Sequence, residues 1–311
     1  MALHPQAQAI VDAANAAGVP FEATDHHAVR SGYAAATRFY VHPSPALAEV
    51  SDLAFPGPAD QRPLRLYRPA RGSAAGPAPV LVFFHGGGWV VGDLDSHDHL
   101  CRYLAAEAGV AIVAVDYRLA PEHRFPAAFD DAVAATRWVA RNAATLDLDA
   151  ARIAVGGDSA GGNLAAGVAL ALRGELPLAQ QLLIYPAVDF TADNASLRDN
   201  ASGYMLTTRA MDQFADWYLG DPALKRDWRA SPARAADHAG VAPATVITAG
   251  YDPLRDEALA YVETLRAAGV AVAARNYPDM IHGFARMGGK LDTAREALDY
   301  AAAELRAALR P

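Results

Sequence analysis

Two hydrophobic periods alternate along the chain. Short, largely apolar runs recur as PVLVFF (79–84), AIVAVDY (111–117), RIAVGG (152–157), QLLIYP (181–186), TVITAG (245–250) and VAVAARNY (270–277). Between them lie longer stretches at 97–108, 127–144, 160–173, 253–268 and 290–309, patterned as helices. The stretch 127–144 places Phe129, Val133, Trp138 and Val139 among its apolar positions. The runs predict buried strands and the stretches amphipathic helices. Strands apolar on both faces and separated by helices predict a mostly parallel sheet covered on both sides, an α/β architecture.

Some segments fall outside the alternation. Residues 1–45 read as mostly helical, with breaks at Gly18–Pro20 and His42–Pro45. Extended segments at about 47–56 and 62–68 follow, joined by Pro-Gly turns. The stretch 70–79 reads as a surface loop, and 189–210 as polar and irregular before an aromatic helical piece, MDQFADWYL. Residues 1–45 and about 189–225 are expected to form a helical lid (cap) over a site, the alternative being that they only pad the sheet edges. The α/β domain then comprises 46–188 and 226–311.

Composition narrows the class. The 311 residues suffice for one large α/β domain with an elaboration, or for two ordinary domains. At 52% hydrophobic and 20% charged, the chain reads as a soluble globular protein. No apolar run reaches the roughly 18 residues of a membrane span. The first residues lack a basic segment followed by an apolar one, so a cytoplasmic location and no integral membrane segment are expected. Net charge is −8 with scattered Lys and Arg, which argues against nucleic acid or an anionic membrane as partner. The single Cys101 has no internal disulfide partner, in keeping with a reducing compartment. A homo-oligomer is compatible with the sequence, but no feature calls for one.

The chemistry concentrates where strands end. Gly157-Asp158-Ser159-Ala160-Gly161 matches Gly-x-Ser-x-Gly between the strand RIAVGG and a helix. In that context it fits the nucleophile elbow, a sharp turn that holds a strained serine clear of the sheet. The helix N-terminus adds N–H groups where an anion would form. His85-Gly86-Gly87-Gly88-Trp89 ends the strand PVLVFF. Two amides from Gly86–Gly88, with that of Ala160, are expected to form an oxyanion hole. The run lacks the endings of a P-loop or a dinucleotide fingerprint. His85 is expected to orient this loop, and Asp158 to support the elbow. A serine hydroxyl needs an imidazole to accept its proton, and the imidazole needs a carboxylate to fix its tautomer. The order Ser, Asp, His along the chain points to Asp252, just past TVITAG, and His282, just past VAVAARNY. Asp256 and Glu257 fall one turn into the next helix, where capping or solvent is expected, and His238 has no strand before it.

Other conspicuous residues read as structural. His97 and His99, with Asp95 and Asp98, start a predicted helix and point to different sides of it, which argues against a metal site. His26 and His27 read as a surface pair. The run from Tyr117 to Pro126 (YRLAPEHRFP) is expected to brace the site through ion pairs. Trp89, Tyr185, Leu206, Phe214 and Trp217 are candidates for an acyl pocket, with ordinary packing as the alternative.

The blocks HGGGWVVGD (85–93), YRLAPEHRFPAA (117–128), GDSAGGN (157–163), YDPLRDE (251–257) and IHGF (281–284) together resemble the hormone-sensitive-lipase-like esterases, bacterial family IV. The resemblance is close over about 79–290. It implies the α/β-hydrolase fold and a serine carboxylesterase acting on short- to medium-chain acyl esters, small molecules, without cofactor or metal. It also implies a lid from the N-terminal helices and the segment near 190–225. The family's nucleophile, acid, base and oxyanion positions fall on Ser159, Asp252, His282, and Gly86–Gly88 with Ala160. An amidase or acyltransferase would use the same groups. A non-catalytic receptor on this fold would lack the histidine that stands here at 282.

Overall fold

The computed structural model describes residues 2–17, 25–41, 43–70 and 76–310. The predicted breaks at Gly18–Pro20 and at His42, and residues 71–75 of the predicted surface loop, lie outside the described residues. Eight strands form the sheet: β1 (Glu49–Pro56), β2 (Gln61–Arg68), β3 (Ala78–Phe84), β4 (Ala111–Val115), β5 (Leu148–Asp158), β6 (Leu178–Ile184), β7 (Ala244–Tyr251) and β8 (Val272–Ile281). They lie in the order β1-β2-β4-β3-β5-β6-β7-β8. From β4 to β8 every neighbouring pair is parallel, while β2 pairs antiparallel with β1 and β4. The mostly parallel sheet is therefore as the pattern predicts, with an antiparallel edge hairpin built from the two early extended segments.

Nine α-helices are present among the described residues: α1 (Pro5–Ala17), α2 (His26–Tyr40), α3 (Asp98–Ala108), α4 (Ala127–Asn142), α5 (Ala160–Ala171), α6 (Ala195–Asp199), α7 (Thr208–Leu219), α8 (Arg255–Ala267) and α9 (Asp292–Ala308). Side chains alternate across a strand, so each strand feeds two cores. Val80, Val82 and Phe84 of β3 join Val113, Val155 and Leu183 in one cluster with α4, α5 and α8. Leu81 and Phe83 join Ile112, Ala154 and Leu182 in the other, with α1, α3 and α9. That two-sided burial is why the central strands read as continuous apolar runs.

Some boundaries differ from the pattern. β4 ends at Val115, two residues short of Tyr117, whose hydroxyl turns to donate to the His85 carbonyl at 2.7 Å. β5 begins at Leu148, because that residue pairs with Ala78 of β3 ahead of the apolar run. The stretch read as irregular contains α6, capped by Asn194, whose side chain accepts the Leu197 N–H at 3.0 Å.

The parallel strands end in register. Phe84 pairs with Gly157, Asp158 with Ile184, and Tyr251 with Ile281. The residues just past these ends are His85, Ser159, Tyr185, Asp252 and His282. One edge of the sheet thus carries residues far apart in sequence, the edge where open parallel sheets place their sites. At the centre, β5 stops at Asp158 and α5 starts at Ala160, so Ser159 alone makes the turn, at φ 55° and ψ −117°. Such a conformation is costly for a non-glycine residue and persists only when its surroundings fix it. They do: the Ser159 amide donates to the Ile184 carbonyl at 2.8 Å, and α5 lies so close that a Cβ on Gly157 or Gly161 would overlap the Phe84 carbonyl oxygen.

Gly161→Ala should therefore force β3 and α5 apart. A loss of about 2 kcal/mol or more is expected, read as a lowered midpoint in urea. An unchanged midpoint would show that the close approach is not required.

Candidate active site

Ser159 Oγ lies 2.9 Å from His282 Nε2, and His282 Nδ1 lies 2.7 Å from Asp252 Oδ2. Asp252 is fully buried, and its other oxygen accepts the Leu254 N–H at 2.8 Å. One carboxylate thus both starts the turn into α8 and faces the imidazole. Asn200 holds the backbone around it, donating from Nδ2 to the Asp252 carbonyl at 3.2 Å. With Oδ2 accepting, the proton of the neutral imidazole belongs on Nδ1, which leaves Nε2 as an acceptor toward the serine.

The glycine loop after β3 wraps the same spot. Gly87 (φ 125°) and Gly88 (φ 58°) adopt conformations that a side chain resists, and a Cβ on Gly88 would meet the Phe214 ring at 2.7 Å. Their amides, like that of Ala160 at the first turn of α5, donate to no group among the described residues. All three residues line the cavity that holds Ser159. Gly86 is the exception in the predicted set. Its N–H donates to Asp158 Oδ1 at 2.8 Å, so it anchors the loop and is not available to an incoming oxygen.

Asp158 is the hub of that anchor. It is buried, and its Oδ1 also lies 3.1 Å from Nε2 of the buried His97. Burial opposes its charge, yet His97, Arg286 and the Gly86 amide hold its carboxyl down to about 2. Burial pushes His97 below the usual imidazole range, so it faces Asp158 as a neutral donor. His97 and His99 do point apart as expected: His99 Nε2 sits 2.9 Å from the Arg286 carbonyl. The role of His97 was not legible from its spacing. The one signal was chemical, since a buried aspartate beside the nucleophile needs a buried partner. His85 stacks on Tyr117 at 4.3 Å, its Nδ1 is 2.8 Å from the Gly86 carbonyl, and burial brings it down to about 4. It is neutral and turned into the loop.

The loop from Tyr117 to Pro126 braces as expected. Arg118 binds the buried Asp131, and Glu122 takes a two-pronged contact from Arg30 of α2, with both oxygens at 2.7 Å. Arg30 also donates to the Val90 and Ala120 carbonyls, tying α2 to the site's floor.

A cavity of about 630 Å³ opens above Ser159. Its walls come from α1, α2, the segment after β6, and α7. Of the acyl-pocket candidates, Trp89, Leu206 and Phe214 line it. Tyr185 and Trp217 do not. Tyr185 is buried beneath His282, with ring centroids 4.8 Å apart, and Trp217 packs on the outer side against His26 and Phe214. Asp256 does not cap its own helix, whose N-cap Leu254 carries no side-chain bond; it accepts the Ser196 N–H of α6 at 2.8 Å and pairs with Arg255. Glu257 departs from the expectation of capping or solvent exposure. It is 7% exposed, lines the cavity, and accepts the N–H groups of Val188 at 2.7 Å and Asp189 at 3.2 Å. The reason is that the first turn of α8 packs against the strand-less chain leaving β6, whose amides need an acceptor. His238 is buried away from these groups, with Nε2 3.0 Å from the Pro232 carbonyl. Among the described residues, Asp25, His26 and His27 bring possible metal-ligand atoms within 4.8 Å of one another. Asp25 caps α2 there, and His26 faces Glu122. No described helix is long and apolar enough to cross a membrane.

Residues 81–286 match the family model described as the alpha/beta hydrolase fold. The chain belongs to that family. Its relatives are esterases: it is 43% identical to the carboxylic ester hydrolase LipN of Mycobacterium tuberculosis, over 91% of this chain and 77% of that one. It is 44% identical to an ethyl acetate hydrolase of Pseudomonas putida, over 76% and 75% of the two chains. Among solved structures, an ester hydrolase from a Lake Arreo metagenome, complexed with a bipyridine phosphonate derivative, superposes with a TM-score of 0.94. The two are 42% identical, with 98% of each chain covered. The Pyrobaculum calidifontis esterase gives 0.92 at 40% identity, covering 99% of this chain and 100% of that one. The α/β-hydrolase fold and the hormone-sensitive-lipase-like resemblance read from the motifs hold, and the chain is a serine carboxylesterase.

His97→Ala should leave the Asp158 carboxylate short of a partner. We expect a stability loss of about 2 kcal/mol in urea unfolding and a lower kcat with KM little changed, because the loop that Asp158 anchors loosens. Normal stability and kcat would remove His97 from the site's support.

Proposed function

We propose that this carboxylesterase works through an acyl-serine on Ser159, with His282 as base, Asp252 as its orienting acid, and the amides of Gly87, Gly88 and Ala160 as the oxyanion hole. The observation that carries the reading is the unbroken pair of contacts, 2.9 Å from Ser159 Oγ to His282 Nε2 and 2.7 Å from His282 Nδ1 to Asp252. As Ser159 Oγ bonds to the ester carbonyl carbon, its proton passes to His282 Nε2. The Asp252 carboxylate offsets the imidazolium charge without taking the proton. The carbonyl oxygen, now anionic, accepts from the preset amides, which act most strongly on charge that develops in the transition state. The carbon–oxygen bond to the alcohol breaks, and the alcohol leaves with the proton from His282. Water then repeats the sequence on the acyl-serine and releases the acid.

The substrate is a small-molecule ester of short to medium acyl chain. In support, the cavity falls in the size range of small-ligand sites, and the Pseudomonas putida relative is named for ethyl acetate. The lid of this proposal is α1, α2 and the segment through α7, with 46–188 and 226–311 as the α/β domain. Its support is that Ala13, Tyr33, Phe39, Met211 and Phe214 come from those elements and wall the cavity. A cytoplasmic location belongs to the proposal too, with cell fractionation as its check. The receptor alternative is disfavoured by the histidine in reach of the serine.

Fluorophosphonate labelling with peptide mass spectrometry, alongside hydrolysis of p-nitrophenyl esters from acetate to palmitate, tests the reading. Modification at Ser159 and a rate peak at short chains are expected; labelling elsewhere, or turnover of amides alone, would overturn it. Ser159→Ala should retain the fold and lose hydrolysis. Asp252→Asn should lower kcat by roughly 10⁴ through the wrong tautomer, and a near-normal rate would reassign the acid. Phe214→Ala should move the chain-length optimum upward, and an unchanged profile would take Phe214 out of the acyl pocket.

A further inference from the structure

Glu257 takes part in no step of that mechanism, yet it is the most anomalous polar group in the cavity. Its two oxygens differ. Oε1 accepts both the Val188 and the Asp189 amides, at 2.7 and 3.2 Å. Oε2 has no hydrogen bond among the described residues, and it is not among the buried atoms sealed away without a partner. The residue is 7% exposed, and it lines the cavity that holds Ser159 and His282. An ester held at Ser159 would occupy the cavity that this residue borders. Asp189 lines the same cavity in the opposite state: its side chain accepts from the Thr191 N–H and hydroxyl and lies 3.6 Å from Arg234.

Where a polar atom bordering a cavity has no partner in the protein, the occupant of the cavity decides its energy. An apolar chain laid against Oε2 leaves it desolvated and unpaired, which is costly, whereas an oxygen function on the ester pairs it. Sites built to hydrogen-bond a substrate group discriminate strongly against the analogue that lacks it. We propose that Glu257 is a specificity-determining residue that selects esters carrying a second oxygen function, hydroxyl, ether or carbonyl, at a fixed distance from the scissile carbonyl. The inference deepens the esterase reading and rests on it.

The charge state sharpens the prediction. Burial, then the neighbouring carboxylates of Asp189 and Asp252, push Glu257 up to about 8 against the pull of its two amide donors. Lys225 and Arg286 are the cations lining the same cavity, with Asp158, Asp189 and Asp212 as its other carboxyls. Below about pH 8 the group is a neutral acid whose Oε2–H donates; above it, the carboxylate only accepts. A hydroxyl on the ester pairs with either form. An ether or ketone oxygen pairs with the acid alone.

The test uses matched p-nitrophenyl ester series with hydroxyl, methoxy or methyl at the same carbon, moved stepwise along the acyl chain. The readout is the ratio of kcat/KM within each matched set, in which any pH effect common to all the esters cancels. At one position the wild type should prefer hydroxyl and methoxy over methyl by about tenfold at pH 6.5. As pH rises through about 8 the methoxy preference should vanish and the hydroxyl preference persist. In Glu257→Gln, whose amide keeps a donor at every pH, both preferences should become independent of pH. A methyl ester series hydrolysed well, with no oxygen preference at any position, would overturn this inference and leave the esterase standing. Oxygen preferences unaffected by pH in the wild type would also overturn it. Hydrolysis of none of these esters would bring down the esterase reading and the inference with it.

Discussion

The site depends on one constraint, the single-residue turn between β5 and α5. A strand and a helix joined by one residue must nearly touch, and here Gly157 and Gly161 allow the helix to pass against the Phe84 carbonyl. With that approach fixed, Ser159 has nowhere to relax and its hydroxyl stands above the sheet edge at φ 55°. The same approach sets the first turn of α5 beside the glycine loop after β3. A strained residue, three amides unpaired among the described residues and an imidazole then converge because five strands end in register.

Around that turn the protein keeps charge and dipole in place in advance of the reaction. Asp158, next to the nucleophile, is turned inward to hold the Gly86 amide and His97, so the loop's first amide fixes the position of the next two. Asp252 divides its oxygens between a helix start and the imidazole. Arg30 and Glu122 fasten α2 across the floor. In each case a polar group satisfied by the scaffold leaves a neighbour free to meet the substrate. Glu257 brings both roles into one carboxyl.

Much of this was legible in the sequence. The central strands announced themselves because both of their faces are buried, and Ser159, Asp252 and His282 because each follows such a run. Less legible were the features set by partners distant in the chain. Glu257 looks like any acidic residue in a first helical turn, and only the amides of Val188 and Asp189, about seventy positions earlier, draw it inside. Gly86 is indistinguishable from Gly87 and Gly88 until Asp158 claims its N–H. Tyr185 is aromatic and at a strand end, but its ring supports His282 from below instead of lining the cavity. The spacing of His97 gives no sign of its role, since the partner that explains it, Asp158, lies some sixty positions later at the end of β5.

The most direct measurement is a crystal structure of the protein inactivated by a short alkyl phosphonate, whose tetrahedral phosphorus imitates the attacked carbonyl carbon. The account predicts a bond from phosphorus to Ser159 Oγ and one phosphoryl oxygen at about 3 Å from the amides of Gly87, Gly88 and Ala160. The Gly86 amide should still be on Asp158. A phosphoryl oxygen directed away from those amides, or an adduct on another residue, would contradict it.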